Sequence, residues 1–352
     1  MKDEGSYWPW EMLYRGGGVR RFSRPSPIAC PPMKTAFLVP VLLAALLPTG
    51  FAADGLFVAV GYGGRRMTSR DGQTWENVQQ WADKGADDWN NLMGLAYGKG
   101  KFVCVGGGGW SRETQAGHIL VSTDGKEWRE VAKYPFRVNP VLFLGDRFVA
   151  GGPSKQLLWS VDGEKWAESP AVQLPPEIPG YAFWFRNAAA GNGVFAFMGN
   201  AGKDQKIWWC LTSRDGATIE NLSLTAPGKR GIAFGAGKFI AVDPDGLSSS
   251  ADAKTWQPIA GTPQDEFRGI LWTGKEFLLT GKAGTYNSAD GAAWKPFGKA
   301  PPGTVVAAGD HGFIATGWPG KMFFSADGQT WKPTGQPEPA MGVNKVVFGS
   351  AR

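Results

Sequence analysis

The pattern Ser-x-Asp-Gly-x-x-Trp occurs five times in full, as SRDGQTW (Ser69–Trp75), STDGKEW (Ser122–Trp128), SVDGEKW (Ser160–Trp166), SADGAAW (Ser288–Trp294) and SADGQTW (Ser325–Trp331). Two more copies depart at one position each. SRDGATI (Ser213–Ile219) has Ile for Trp, and SADAKTW (Ser250–Trp256) has Ala253 for Gly. The seven aspartates are Asp71, Asp124, Asp162, Asp215, Asp252, Asp290 and Asp327, at spacings of 53, 38, 53, 37, 38 and 37. Such spacing marks internal repeats of roughly 38 residues, and a repeat constrains architecture more tightly than local propensity does.

The flanks of each copy repeat as well. In RGIAFGAGKFIAVDPDGLSSSADAKTWQPIAG four short strands are predicted: a (IAFG), b (KFIAV), c (LSSSAD) and d (TWQPI). Asp-Gly between c and d is a hairpin signal, with Gly supplying the positive φ and the Ser and Asp side chains bonding nearby backbone N–H groups. The Trp that follows is expected to bury its ring. With 51 Gly, 17 Trp and 19% charged residues, the composition suits tight turns and pleated aromatic cores rather than helices. Four strands in under 40 residues is the size of one propeller blade. Seven copies predict an all-β fold, a seven-bladed β-propeller. GLFVAVGYGG after Asp54 reads as a strand b without its strand a, and GVNKVVFGSAR at the end reads as a lone strand a. The C-terminal strand is therefore expected to close the first blade and remove the open edges.

Residues 33–53 read as a Sec signal peptide that starts at Met33, with a Lys, an apolar run and small residues before Asp54. The run is too short, and too broken by Pro40 and Pro48, to span a membrane. Residues 1–32 read as an upstream extension from a start codon placed too early, and 54–352 as one propeller domain. The expected location is the periplasm or the exterior, the expected state a monomer. Residues 1–53 hold six of the 37 basic and three of the 31 acidic residues, which leaves 31 against 28. A net charge of +3 without a basic stripe argues against nucleic acid. Cys104 and Cys210 read as buried thiols rather than a disulfide framework.

The repeat resembles the Asp-box of the sialidase, or BNR-repeat, superfamily, although it is one residue shorter between Asp and Trp. The run FVAVGYGGRRMTSRDGQTW is also similar to repeats of the photosystem II assembly propellers. The resemblance covers residues 55–349. It implies the propeller fold, and function less directly, because such repeats serve glycosidases, receptors and assembly factors.

The two 53-residue intervals hold insertions at 79–91, 107–117, 168–185 and 199–206. By position these are d-to-a and b-to-c loops, all on one face, where function is usually grafted. Arg137, Arg186, Arg230 and Arg268 enter strand a and are expected to rim the central funnel, facing a carboxylate, sulfate or phosphate. Trp81, Trp89, Trp110, Tyr181 and Trp184 in the insertions are candidates for stacking on a sugar or aromatic group, or for plugging the loops. The seven box aspartates read as structural, since one site does not need seven equivalent copies.

The leading expectation is a non-catalytic binding or assembly propeller whose loop-rich face takes a protein, a glycan or an anionic ligand. The alternative, by resemblance, is a sialidase-like glycoside hydrolase, for which the arginines would bind the substrate carboxylate. Tyr181 with Glu177 or Glu266, and Asp87 or Asp88, are its candidate nucleophile and acid. The Phe-Arg-Ile-Pro segment such enzymes carry ahead of their first box is missing, and FRVNP (Phe136–Pro140) follows the second box instead. No cofactor is expected, and no metal, since His118 and His311 have no partner at ligand spacing. The run Gly106–Gly109 lacks the Lys-Ser/Thr and the helix of a phosphate loop.

Overall fold

The computed structural model describes residues 55–81, 90–108, 116–152, 155–178, 183–224, 227–335 and 341–350. The expected upstream extension and signal peptide lie outside them, as do Asp87, Asp88, Trp89, Trp110 and Tyr181.

Seven four-stranded antiparallel sheets form the blades of a propeller. In blade 5, strand a is Gly231–Gly235, b Lys238–Asp243, c Gly246–Ser250 and d Gln257–Pro258. From blade 1 to blade 7 the inner a strands are Val343–Ser350, Leu92–Gly98, Val141–Leu144, Trp184–Gly191, Gly231–Gly235, Gly269–Trp272 and Thr304–Gly309. Each touches the a strands of both neighbouring blades, and the cycle closes on itself. Closure is made by the C-terminal strand, which pairs with Gly55–Gly61 from Gly55↔Ser350 to Gly61↔Val343. The first blade is thus built from both chain ends, and the ring has no open edge.

The repeated box is a packed turn. In every blade the box serine pairs across the ladder with a strand-b phenylalanine: Phe57↔Ser69, Phe102↔Ser122, Phe148↔Ser160, Phe195↔Ser213, Phe239↔Ser250, Phe277↔Ser288 and Phe313↔Ser325. The box aspartate accepts the two N–H groups that follow the glycine position, as Asp162 does from Glu164 (2.8 Å) and Lys165 (2.9 Å). The serine hydroxyl accepts the glycine N–H itself, at 2.8 Å in Gly163. These donors hold Asp162, Asp290 and Asp327 at a pKa of about 2.

The box glycines run at φ between 72° and 77°. They also touch the preceding blade. A Cβ on Gly125 would lie 2.8 Å from Val58 Cγ2, one on Gly163 3.1 Å from Val103 Cγ2, and one on Gly216 2.7 Å from Val149 Cγ2. Each of these valines follows the strand-b phenylalanine of its blade. Blade 5 breaks the rule at both ends: Ala253 takes φ 59°, and the residue after Phe195 in blade 4 is Ala196. The smaller neighbour makes room for the extra methyl, and both alanines are buried in one cluster with Cys210 and Phe239.

Two insertions begin as ladder: their described ends lengthen the strands of a hairpin. In blade 4, Val194–Ala201 and Ile207–Ser213 stay paired out to Ala201↔Ile207, so most of 199–206 lies in a lengthened hairpin. Ile207, Trp208 and Trp209 favour the pleated surface and carry the ladder outward. In blade 2 the hairpin of Lys101–Gly108 and Ala116–Ser122 extends to Gly108↔Ala116 in the same way. The described part of 168–185 forms a packed apron. Ile178 is buried with Phe197 and Trp209, Val172 and Leu174 pack against them, and Phe183 stacks on Trp209 with centroids 4.1 Å apart. Trp184, expected in this loop, is instead the first residue of strand a in blade 4, half-buried and paired with Asn200.

Candidate functional site at the channel rim

The strand-b phenylalanines put all seven inner strands on one scale. The third residue after each pairs with Lys345 in blade 1, Gly94 in blade 2, Asn187 in blade 4, Gly231 in blade 5, Gly269 in blade 6 and Thr304 in blade 7. In blade 3 that residue, Gly151, donates to the carbonyl of Pro140. One step earlier, at the entrance of the inner strands, stand Asn344, Met93, Asn139, Arg186, Arg230, Arg268 and Gly303. Three consecutive blades therefore present an arginine at one register.

Arg137 does not share that register. Asn139 holds the equivalent place and donates its N–H to Gly151, while Arg137 lies two residues earlier and gives its Nε to the carbonyl of Gly107 at 2.6 Å. The extra residues ahead of Val141 displace it toward blade 2. Its charge nonetheless acts on Arg186.

Arg186 sits in the bulge between Phe185 and Asn187, which turns the side chain out of the ladder. Its Nε donates to Asn200 Oδ1 at 3.0 Å and its Nη2 to Gln205 Oε1 at 2.7 Å. Both acceptors are neutral. Desolvation, and secondly the Arg137 charge, lower its pKa below the usual arginine value, and no carboxylate offsets them. Arg268 is exposed and Arg230 half-buried, with backbone N–H groups fixed to Thr280 and Val242. The lengthened hairpin of blade 4 is what brings Asn200 and Gln205 to Arg186, so this insertion shapes the rim directly.

A second cluster lies between blades 1 and 2. Trp81, 40% exposed, covers the guanidinium of Arg66 at 4.9 Å and packs on His118 at 5.0 Å. Arg66 is buried, and desolvation lowers its pKa. His118 Nδ1 meets Glu130 Oε1 at 2.5 Å, and Lys133 pairs with the other carboxylate oxygen. Trp81 therefore seals a charged seam. Sequence reasoning named Trp81 but missed Arg66, which only the ladder brings beneath the ring.

Of the groups proposed for hydrolysis, Tyr181, Asp87 and Asp88 lie outside the described residues. Glu266 pairs with Lys282 at 3.3 Å, and Glu177 is exposed on the apron. No group of three His, Cys, Asp or Glu side chains is placed to hold a metal among the described residues. There is likewise no helix long and apolar enough to cross a membrane among them.

No protein-family model matches the chain, and no curated protein matches it. Solved structures do. Apo AztD from Citrobacter koseri is similar at 11% identity over 84% of this chain and 97% of that one, with a TM-score of 0.50. The likeness is one of fold. YCF48 from Cyanidioschyzon merolae is similar at 18% identity over 71% of this chain and 86% of that one, with a TM-score of 0.45.

Proposed function

We propose that this protein is an exported binding or assembly propeller that recognises an anionic group of a ligand or partner at the channel rim. The reading rests on one observation above all. Arg186 carries an exposed positive charge next to Arg137, bound by amide oxygens and by no carboxylate, in line with Arg230 and Arg268. Guanidinium groups this close repel one another. A carboxylate, sulfate or phosphate removes that repulsion and gains bidentate charge-assisted hydrogen bonds. Binding is preferred to hydrolysis because the Phe-Arg-Ile-Pro segment of the sialidase-type enzymes is missing from the sequence.

The experiment is partner capture with a photocrosslinker at Trp184, in wild type and in Arg186→Ala. A partner carrying exposed acidic groups, captured by wild type and lost in Arg186→Ala with the fold intact by circular dichroism, is the expected result. Turnover of a fluorogenic sialoside that Arg230→Ala abolishes overturns the reading in favour of the hydrolase.

A further inference from the structure

One basic residue of the inner ring belongs to no blade-repeat pattern. Lys345 stands where the other blades carry Gly94, Pro140, Asn187, Gly231, Gly269 or Thr304. Its strand, Val343–Ser350, is hydrogen-bonded to Gly55–Gly61 along one edge and packs against the a strands of blades 2 and 7. A mid-strand side chain in that setting meets water only on the side of the propeller axis. Lys345 is exposed while the next residue, Val346, is buried, so its amine lies in the central channel.

The lysine is uncompensated. The surrounding protein strips enough water from its ammonium to lower the pKa, and no acidic neighbour among the described residues opposes that shift. Nothing in the packing calls for a charge here. Three of the equivalent positions are glycine, and a Cβ there would press on the next blade, 3.0 Å from the Val141 backbone nitrogen at Gly94 and 2.7 Å from Thr304 Cγ2 at Gly269. The entrance register that holds Arg186, Arg230 and Arg268 is one residue away along the strands. The inner strands of blades 1, 4, 5 and 6 thus each carry a cation at one of two adjacent registers.

We propose that Lys345 and these three arginines form a single axial site for a compact dianion, in the class of phosphate, sulfate or a short dicarboxylate. The inference rests on the rim reading above and goes beyond it, because the rim alone serves a monoanion on a large partner equally well. Arginine forks orient the oxygens, and the lysine adds a point charge from across the channel. The channel limits the ligand to a small molecule or a slender end group.

Isothermal titration calorimetry of the purified protein with phosphate, succinate and acetate at matched ionic strength tests this. The expected result is that at least one dianion binds, and binds more tightly than acetate. Lys345→Met is expected to weaken that dianion about tenfold or more, the loss of one charge-assisted contact, while acetate binding is unchanged. Arg268→Ala is expected to weaken both. Equal affinity for acetate and the dianions, no dianion binding by wild type, or an unchanged dianion affinity in Lys345→Met each overturns the axial site. The rim reading stands or falls separately, on the loss of captured partner in Arg186→Ala. Whether phosphate or succinate binds more tightly distinguishes a tetrahedral oxyanion from a dicarboxylate.

Discussion

Blade 5 offers an internal test of how adjacent blades fit. In blades 2, 3 and 4 a box glycine abuts a valine of the preceding blade, and an added Cβ would stand only 2.7 to 3.1 Å from a valine methyl at Gly216, Gly125 and Gly163. At the blade 4–5 junction the pair is Ala196 and Ala253. Ala196→Val restores the larger neighbour without removing the Ala253 methyl, and overpacking of this kind costs about 1–3 kcal/mol. Ala253→Gly relieves a left-handed alanine, worth about 1–2 kcal/mol. Against that stand about 0.8 kcal/mol for one buried methyl and about 0.4–1 kcal/mol for a freer unfolded chain. The single Ala253→Gly variant should therefore lie within about 1 kcal/mol of wild type. In the double variant the valine meets a glycine, as in blades 2, 3 and 4, and its cost should vanish. A double-mutant cycle in urea then gives a coupling of about 1–3 kcal/mol. If Ala196→Val costs the same in the Ala253→Gly background as in wild type, the blade-to-blade fit is not what fixes the box glycine.

The other expectations concern the box and the thiols. Ser160→Ala leaves the buried Gly163 N–H without its acceptor and should cost about 1–3 kcal/mol. Ser223→Ala loses only a half-buried contact of 3.4 Å and should cost under about 0.5 kcal/mol by the same urea titration. Asp162, Asp290 and Asp327 have folded pKa values depressed to about 2, so their stabilisation is complete above the ordinary carboxylate pKa and is lost as pH falls through about 2. Thermal melts should accordingly hold steady down to about pH 4 and drop steeply between there and pH 2. Melts that decline between pH 7 and 5 instead would assign acid sensitivity to other groups. Burial raises the thiol pKa of Cys104, and that of Cys210 to about 12, so neither should react with a disulfide reagent at pH 8 until denaturant is added.

The blade count and the closing strand were legible because the box records its own hydrogen bonds. Ser, Asp and Gly are each required by a specific backbone partner, and the requirement returns in every blade. Where one requirement lapses the rest still hold the turn, as Ile219 and Ala253 show. The insertions were harder to read. Repeat spacing and position suggested loops at 199–206 and around Trp184, but strand ends are set by whether a partner continues the ladder, and Asn200, Ala201 and Ile207 found theirs. The rim was half legible. Arg186, Arg230 and Arg268 share a visible position ahead of a small apolar strand, whereas Arg137 shares the local pattern without the register. Lys345 was overlooked because its segment was read only as a closing strand. Its equivalence to Gly231 appears once Lys345↔Val60 is laid beside Gly231↔Val242.

A repeat protein supplies its own control for telling structure from function. Whatever the ring needs for packing, it needs seven times, and the Phe–Ser pairs and box aspartates meet that need in every blade. A residue at an equivalent register that does not recur answers to something other than the ring. The inner strands obey the repeat in their buried halves and depart from it near the entrance, where Arg appears in three neighbouring blades and, one residue further in, Lys in one. Apolar packing gains nothing from these cations, and a lysine on the axis costs desolvation without a counter-ion. A charge that weakens the scaffold and lies in the channel all seven blades share is expected where a ligand supplies the missing anion. Replacing Lys345 by an apolar residue should therefore leave the empty protein as stable as before or more so, and a clear loss of stability in Lys345→Met without ligand would show that the lysine serves the fold.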